Sequence, residues 1–311
     1  MAWNAKYWDI LSNLYWTPRY LGLKSVPRNK WIVEGDQVSI PRDLIKTAEG
    51  PLYFRSRKVD DQMSYLGGQE EILNHLFDLT FSIAGEDVIS YALCGPLALE
   101  DGGPFDSIGR EVGQRYGWHR LENVTQQDGF FVSPRSLMGV ELKLGSKSSA
   151  EQIAKYLALM IWEERLTGRR DQHGLLFVVS AGAIASHWKD VGLKNGSIDH
   201  SFIDRLEKMK LPSRMQRLFA DNSDRLKGIA GRLRLAVISW EQFRNSLSEY
   251  GSRLDLSRPG DQTLDNLLGG FCSQINQHGK TGIVRHGELV SSGSGTDKKR
   301  HEALLNTGDN A

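Results

Sequence analysis

Asp128, Glu141 and Lys143 are the residues whose types and spacing could do chemistry. Asp128 opens one apolar segment, Gly129 to Ser133, and Pro134-Arg135-Ser136 forms a turn into a second, Leu137 to Leu144. In that second segment a period of two puts Val140, Leu142 and Leu144 on one face and Glu141 and Lys143 on the other. Hairpin pairing would bring all three charged side chains together. Two carboxylates held a few ångströms apart are costly unless a cation offsets them, and Mg²⁺ prefers oxygen ligands. Such an ion could polarise a phosphate ester and acidify a bound water, while Lys143 orients that water or offsets charge in the transition state. Phosphodiester hydrolysis is the chemistry expected.

The surrounding elements must hold these groups. The spacing predicts a helix over Glu70 to Ile83, a short strand over Val88 to Leu93, a loop from Gly95 to Pro104, and a helix from Phe105 to Tyr116 ended by Gly117. Leu121 to Gln126 is a further strand candidate. Ser148 and Glu151 read as a capping box for a helix whose stripe is Ile153, Leu157, Met160 and Ile161. Leu175 to Ala181 reads as a buried strand, and strand, helix, strand in this order favours parallel pairing across a crossover. The class is therefore α/β. Two basic helices are expected between Ile198 and Ala230, then a strand at Leu233 to Ile238, a helix capped by Ser239, and a last helix over Leu264 to Ile275.

Taken together, Asp128, Glu141-Leu142-Lys143, Gln152 and Tyr156 resemble the PD-(D/E)xK nuclease superfamily, and Gln152-x-x-x-Tyr156 is similar to the accessory motif of its RecB-type exonuclease branch. The proline before the family's aspartate is absent, since the chain reads Gln126-Gln127-Asp128. The resemblance covers residues 105–181. It implies a restriction-endonuclease-like core, a central mixed sheet flanked by helices, and a Mg²⁺- or Mn²⁺-dependent nuclease acting on DNA rather than RNA. It further implies that Asp128, Glu141 and the carbonyl of Leu142 hold the metal and that Lys143 activates water. Glu111 completes the shell through water, with Glu71 in reserve, and Gln152 and Tyr156 support the substrate or the site. Two other readings of the same residues stand beside it. Glu141 and Lys143 could be the solvated face of an edge strand, or the fold could carry a disabled site and serve as a binding module or as a subunit of a restriction or defence complex.

Composition narrows the rest. The chain has 311 residues, 40% hydrophobic and 25% charged, which argues against fibrous and disordered classes. A net charge of +1 provides no global field toward polyanions, so any such site must be local. The best local patch is Asp204 to Arg234, with nine basic and four acidic residues. Cys94 and Cys272 form no CxxC pair, which excludes a disulfide framework and a cysteine-rich zinc site and fits a reducing, cytoplasmic setting. No apolar run of membrane-spanning length occurs, so no membrane partner is expected; a homodimer or a larger complex is the expected assembly. Residues 1–60, with Trp3, Trp8 and Trp16 among their aromatics, read as a small accessory subdomain, 61–278 as the nuclease-like domain, and 279–311 as a disordered tail. Gly279-Lys280-Thr281 lacks the first glycine of a phosphate-binding loop, and His119 and His187, each beside a tryptophan, read as structural.

Overall fold

The structure, a computed structural model, describes residues 32–34, 37–39, 70–108, 127–144, 149–188, 196–198, 200–278, 281 and 283. Strands β1 (Ile32–Glu34) and β2 (Gln37–Ser39) form an antiparallel pair inside the stretch read as an accessory subdomain. The rest of residues 1–60, the strand candidate at 121–126 and most of the tail lie outside the described residues.

The main body is built on a five-stranded sheet of β3 (Asp106–Ser107), β4 (Gly129–Val132), β5 (Ser136–Leu142), β6 (Gln172–Val179) and β7 (Leu233–Ser239), lying side by side in chain order. The first three are antiparallel neighbours, and β5, β6 and β7 run parallel. Parallel strands need long connections. The helix α4 (Ala150–Thr167) joins β5 to β6, and α5 (His200–Lys208), α6 (Ser213–Asp221) and α7 (Ser223–Arg232) join β6 to β7. The class is α/β, a mixed sheet flanked by helices.

Strand alternation divides the core. Leu137, Leu175, Phe177, Val179 and Leu235 face α4 to α7. Met138, Val140, Leu142, Leu176 and Val178 face α1 (Glu70–Ile83), α8 (Trp240–Gly251) and α9 (Pro259–Gln277). With both faces covered, every residue of β5 is buried. That overturns the solvated edge-strand reading: β5 is the central strand.

The helix over 70–83 falls where the spacing puts it, and Leu73, Leu76, Phe77 and Phe81 are its buried stripe. Four local expectations are corrected. Val88 to Leu93 is helical, as α2 (Glu86–Ile89) continuing through a wide π turn (Ser90–Cys94) into α3 (Gly95–Leu97), because a short apolar run does not by itself distinguish a buried strand from a buried helix. Asp106–Ser107, expected in a helix, pairs with β4, while 109–126 lie outside the described residues. The cap of α4 is Ser149 paired with Gln152, one position later than expected. The basic segment forms three helices, since the turn at Asn222 divides the second. Past 278, Thr281 is buried, its hydroxyl donating to the carbonyls of His278 and Ile275 at 2.9 and 3.2 Å, and Ile283 packs on the core.

Candidate active site

The β4–β5 register pairs Gly129 with Val140, so Asp128 and Glu141 face each other at the next step of the ladder. Asp128 has the parity of Phe130 and Val132, and Glu141 that of Leu137, so both start on the α4 face. The Asp128 Oδ2 accepts the Leu142 amide at 2.7 Å and thereby extends the ladder with a side chain. Amide and carbonyl of one strand residue point to the same neighbour, so the Leu142 carbonyl turns toward the Asp128 side as well. The following residue turns the other way: the Lys143 amide donates to the Val178 carbonyl of β6 at 2.8 Å.

Glu141 is the hub. Lys143 Nζ lies 2.6 Å from its Oε1, Gln152 Nε2 donates to the same oxygen, and the Tyr156 hydroxyl reaches Oε2 at 2.7 Å. The Tyr156 hydroxyl also lies 2.6 Å from the Val140 carbonyl. Burial, followed by the charges of Glu141 and Asp128, holds the Tyr156 phenol well above its usual range, so it serves as a neutral donor. Gln152 and Tyr156 are one turn apart on α4 and meet one carboxylate because Gly139 lets the helix approach. A Cβ at Gly139 would overlap the Tyr156 ring and stand 3.0 Å from Leu175 Cδ1. Glycine is required here by space and not by backbone torsion.

Four further residues belong to the site, and the sequence reading either misses them or assigns them elsewhere. Asn74 Nδ2 donates to Asp128 Oδ1 at 2.6 Å. The sequence signal for it is a polar residue on an apolar stripe, since positions 74, 77 and 81 share a face of α1. Phe77 fixes the approach, because its ring fills the space where a Cβ of Gly129 would be, at 2.7 Å. Trp240, at the start of α8, donates its indole N–H to the Lys143 carbonyl at 3.0 Å. His187 follows β6 and stacks against Phe177, the β6 partner of Glu141, with ring centroids 4.9 Å apart. Expected to be purely structural, it is buried beside the charged cluster; burial first and the Lys143 charge second lower its pKa to about 4. It is neutral at physiological pH.

Glu111 lies outside the described residues, as does the side chain of Glu71. Among the described residues no group of three His, Cys, Asp or Glu side chains comes together. The donor set is two carboxylates, Asp128 and Glu141, with one backbone carbonyl beside them. Among the described residues, Lys143 is the ammonium that stands against these carboxylates. All the donors are hard oxygens, which fits Mg²⁺ or Mn²⁺. No helix among the described residues is long and apolar enough to cross a membrane. Comparison of the chain with protein-family models, curated proteins and solved structures returns no match.

Proposed function

We propose that the chain is a metal-dependent nuclease that hydrolyses phosphodiester bonds, with DNA ahead of RNA as its substrate. The observation that carries this reading is the juxtaposition of Asp128 and Glu141 at one register step, with Lys143 Nζ 2.6 Å from Glu141 and Gln152 and Tyr156 on the same carboxylate. The order of the described elements supports it too: α1, the helix that reaches Asp128, is followed after the short helices α2 and α3 by three antiparallel strands, then by α4 and the parallel β6. The family resemblance implies that order, although it puts the first helix at 105–116.

Asp128, Glu141 and the Leu142 carbonyl would hold Mg²⁺ or Mn²⁺, which when bound supplies Lewis-acid polarisation of the phosphate and acidifies a coordinated water. Gln152 and Tyr156 keep the Glu141 carboxylate oriented, as neutral donors that leave its charge intact. Lys143, whose Nζ lies beside the Glu141 carboxylate, would orient the attacking water or meet charge on the phosphate oxygens. The Val178 and Trp240 contacts fix its backbone. The test is incubation with plasmid, single-stranded DNA and RNA in Mg²⁺ or Mn²⁺, beside Lys143→Ala and Glu141→Ala. Cleavage that both substitutions abolish supports the assignment; equal cleavage by all three proteins removes it.

One observation favours a second reading, a catalytically inactive module that binds nucleic acid or serves as a subunit of a restriction or defence complex. Both Glu141 oxygens are already met by Lys143, Gln152 and Tyr156. Calorimetric titration with Mn²⁺ separates the two, since the inactive module takes up no metal and binds DNA without cutting it.

A further inference from the structure

We infer that the side-chain oxygen of Asn74 is a third oxygen donor of the cation site, supplied by α1 across from the two carboxylate-bearing strands. This rests on the metal-dependent reading above and adds a ligand to it. Asn74 is 8% exposed and its Nδ2 is committed to Asp128 Oδ1 at 2.6 Å. An ionised carboxylate only accepts hydrogen bonds, so this contact fixes which end of the amide faces Asp128. The remaining Oδ1 is closed to solvent and meets no hydrogen-bond donor among the described residues.

A buried carbonyl oxygen without a partner is unusual and points to an occupant that the protein itself does not supply. Oδ1 and Nδ2 share one carbon, so the oxygen stands within a few ångströms of the Asp128 carboxylate. A hydrogen-bond donor or a cation could satisfy it. The neighbourhood favours the cation, because the described residues around it include the two carboxylates of Asp128 and Glu141, and the Leu142 carbonyl turns to the same side. Asn74 thereby does two things with one amide, orienting Asp128 through its N–H and offering a neutral oxygen to the ion. A neutral oxygen ligand also limits the charge that this buried site must carry when no ion is bound.

The experiment is calorimetric titration of the full chain with MnCl₂, for wild type, Asn74→Asp and Asn74→Leu, with thermal melts of each with and without the ion. Asn74→Asp puts a charged oxygen in the same position and should tighten Mn²⁺ at least tenfold, while lowering the Tm of the metal-free protein, a loss that Mn²⁺ reverses. Asn74→Leu has nearly the same shape and no oxygen, and should weaken Mn²⁺ at least tenfold. Wild-type affinity in both variants overturns the inference and leaves the metal-dependent reading standing. Failure of the wild type to bind Mn²⁺ overturns both. Should Asn74→Asp fold only when Mn²⁺ is present, that rescue supports the inference; failure to fold with Mn²⁺ overturns it.

Discussion

Gln152 joins the start of its own helix to Glu141. Its side-chain carbonyl accepts the Ser149 amide at 3.3 Å, its backbone amide donates to Ser149 Oγ at 3.3 Å, and its Nε2 donates to the Glu141 carboxylate. One residue therefore closes a capping box and orients a candidate metal ligand. Loss of an N-cap side chain costs about 1 kcal/mol. Ser149→Ala should cost that much in urea denaturation and also weaken Mn²⁺ binding, although Ser149 touches no charged group of the site.

Glu141 and Lys143 are both buried, at 3% and 9% exposure. Removing one partner of a buried ion pair strands the other charge, at about 3 to 5 kcal/mol. Lys143→Met in metal-free protein should destabilise by an amount near the lower end of that range, because Gln152 and Tyr156 still hold Glu141. The double variant Glu141→Gln with Lys143→Met should recover most of the loss. Urea denaturation of the four proteins gives the coupling energy, and a sum of independent effects would contradict the pairing.

Gly139→Ala tests the closeness of α4 to the sheet. The added methyl overlaps the Tyr156 ring, and overpacking of this kind costs about 1 to 3 kcal/mol. Displacing Tyr156 also takes its hydroxyl from Glu141. The expected result is a lower Tm with weaker Mn²⁺ binding; Tyr156→Leu, which opens space, should partly restore the Tm but not the Mn²⁺ affinity, and Tyr156→Phe, which keeps the ring, should restore neither.

Acid should destabilise the fold in two steps. At the other end of α4, Glu164 Oε1 lies 3.0 Å from His173 Nε2 and 3.0 Å from Arg232 Nη2. Burial by itself would raise the Glu164 carboxyl, but the His173 hydrogen bond, the Arg170 amide and the nearby charges bring it below its ordinary 4.5. Burial depresses His173, and burial with the Lys143 charge takes His187 from 6.5 to about 4. A histidine with a lowered folded pKa leaves the unfolded chain binding the proton first, so stability falls as pH drops below about 6.5. For Glu164 the stability present above pH 4.5 is lost as pH falls further. Urea midpoints from pH 8 to 4 should decline from pH 6.5 downward, and His187→Gln should flatten the decline between 6.5 and 4.

Nucleic-acid binding, if the proposed function holds, should depend on salt through the layer of α5 to α7. Arg214 and Arg217 share the exposed face of α6, with Arg205 and Lys208 exposed on α5 and Lys227 on α7. Removing one cation that neutralises a phosphate reduces the slope of log K against log salt by about 1. Arg214→Glu with Arg217→Glu should flatten that slope by about 2 and weaken DNA binding without altering Mn²⁺ affinity. An unchanged slope would exclude this face from the interface.

Much of the body was legible because its signals are local. Glu141 and Lys143 alternate with apolar residues, which gives their shared face directly, and Gln152 and Tyr156 lie one turn apart on a helix with a readable cap. The boundary of α1 and the capped start of α8 follow from the same kind of signal. Asn74, Trp240 and Gly139 matter through tertiary contacts between segments far apart in the chain, and no local period announces such pairings. Val88 to Leu93 misleads because so short a run, mostly apolar and exposed only in part at Ser90 and Tyr91, does not by its period separate strand from helix. His187 looks structural from its Trp188 neighbour, and only the closing of β6 beside β5 brings it to the charged cluster.

The fit of Tyr156 into the space left by Gly139 has a consequence for inheritance. Neither position is free to drift alone, since any side chain larger than hydrogen at 139 forces the ring away and any loss of the ring at 156 opens a hollow over the sheet. Descendants of this chain should therefore change the two together, small with large or large with small, and a lineage that kept the tyrosine would keep the glycine.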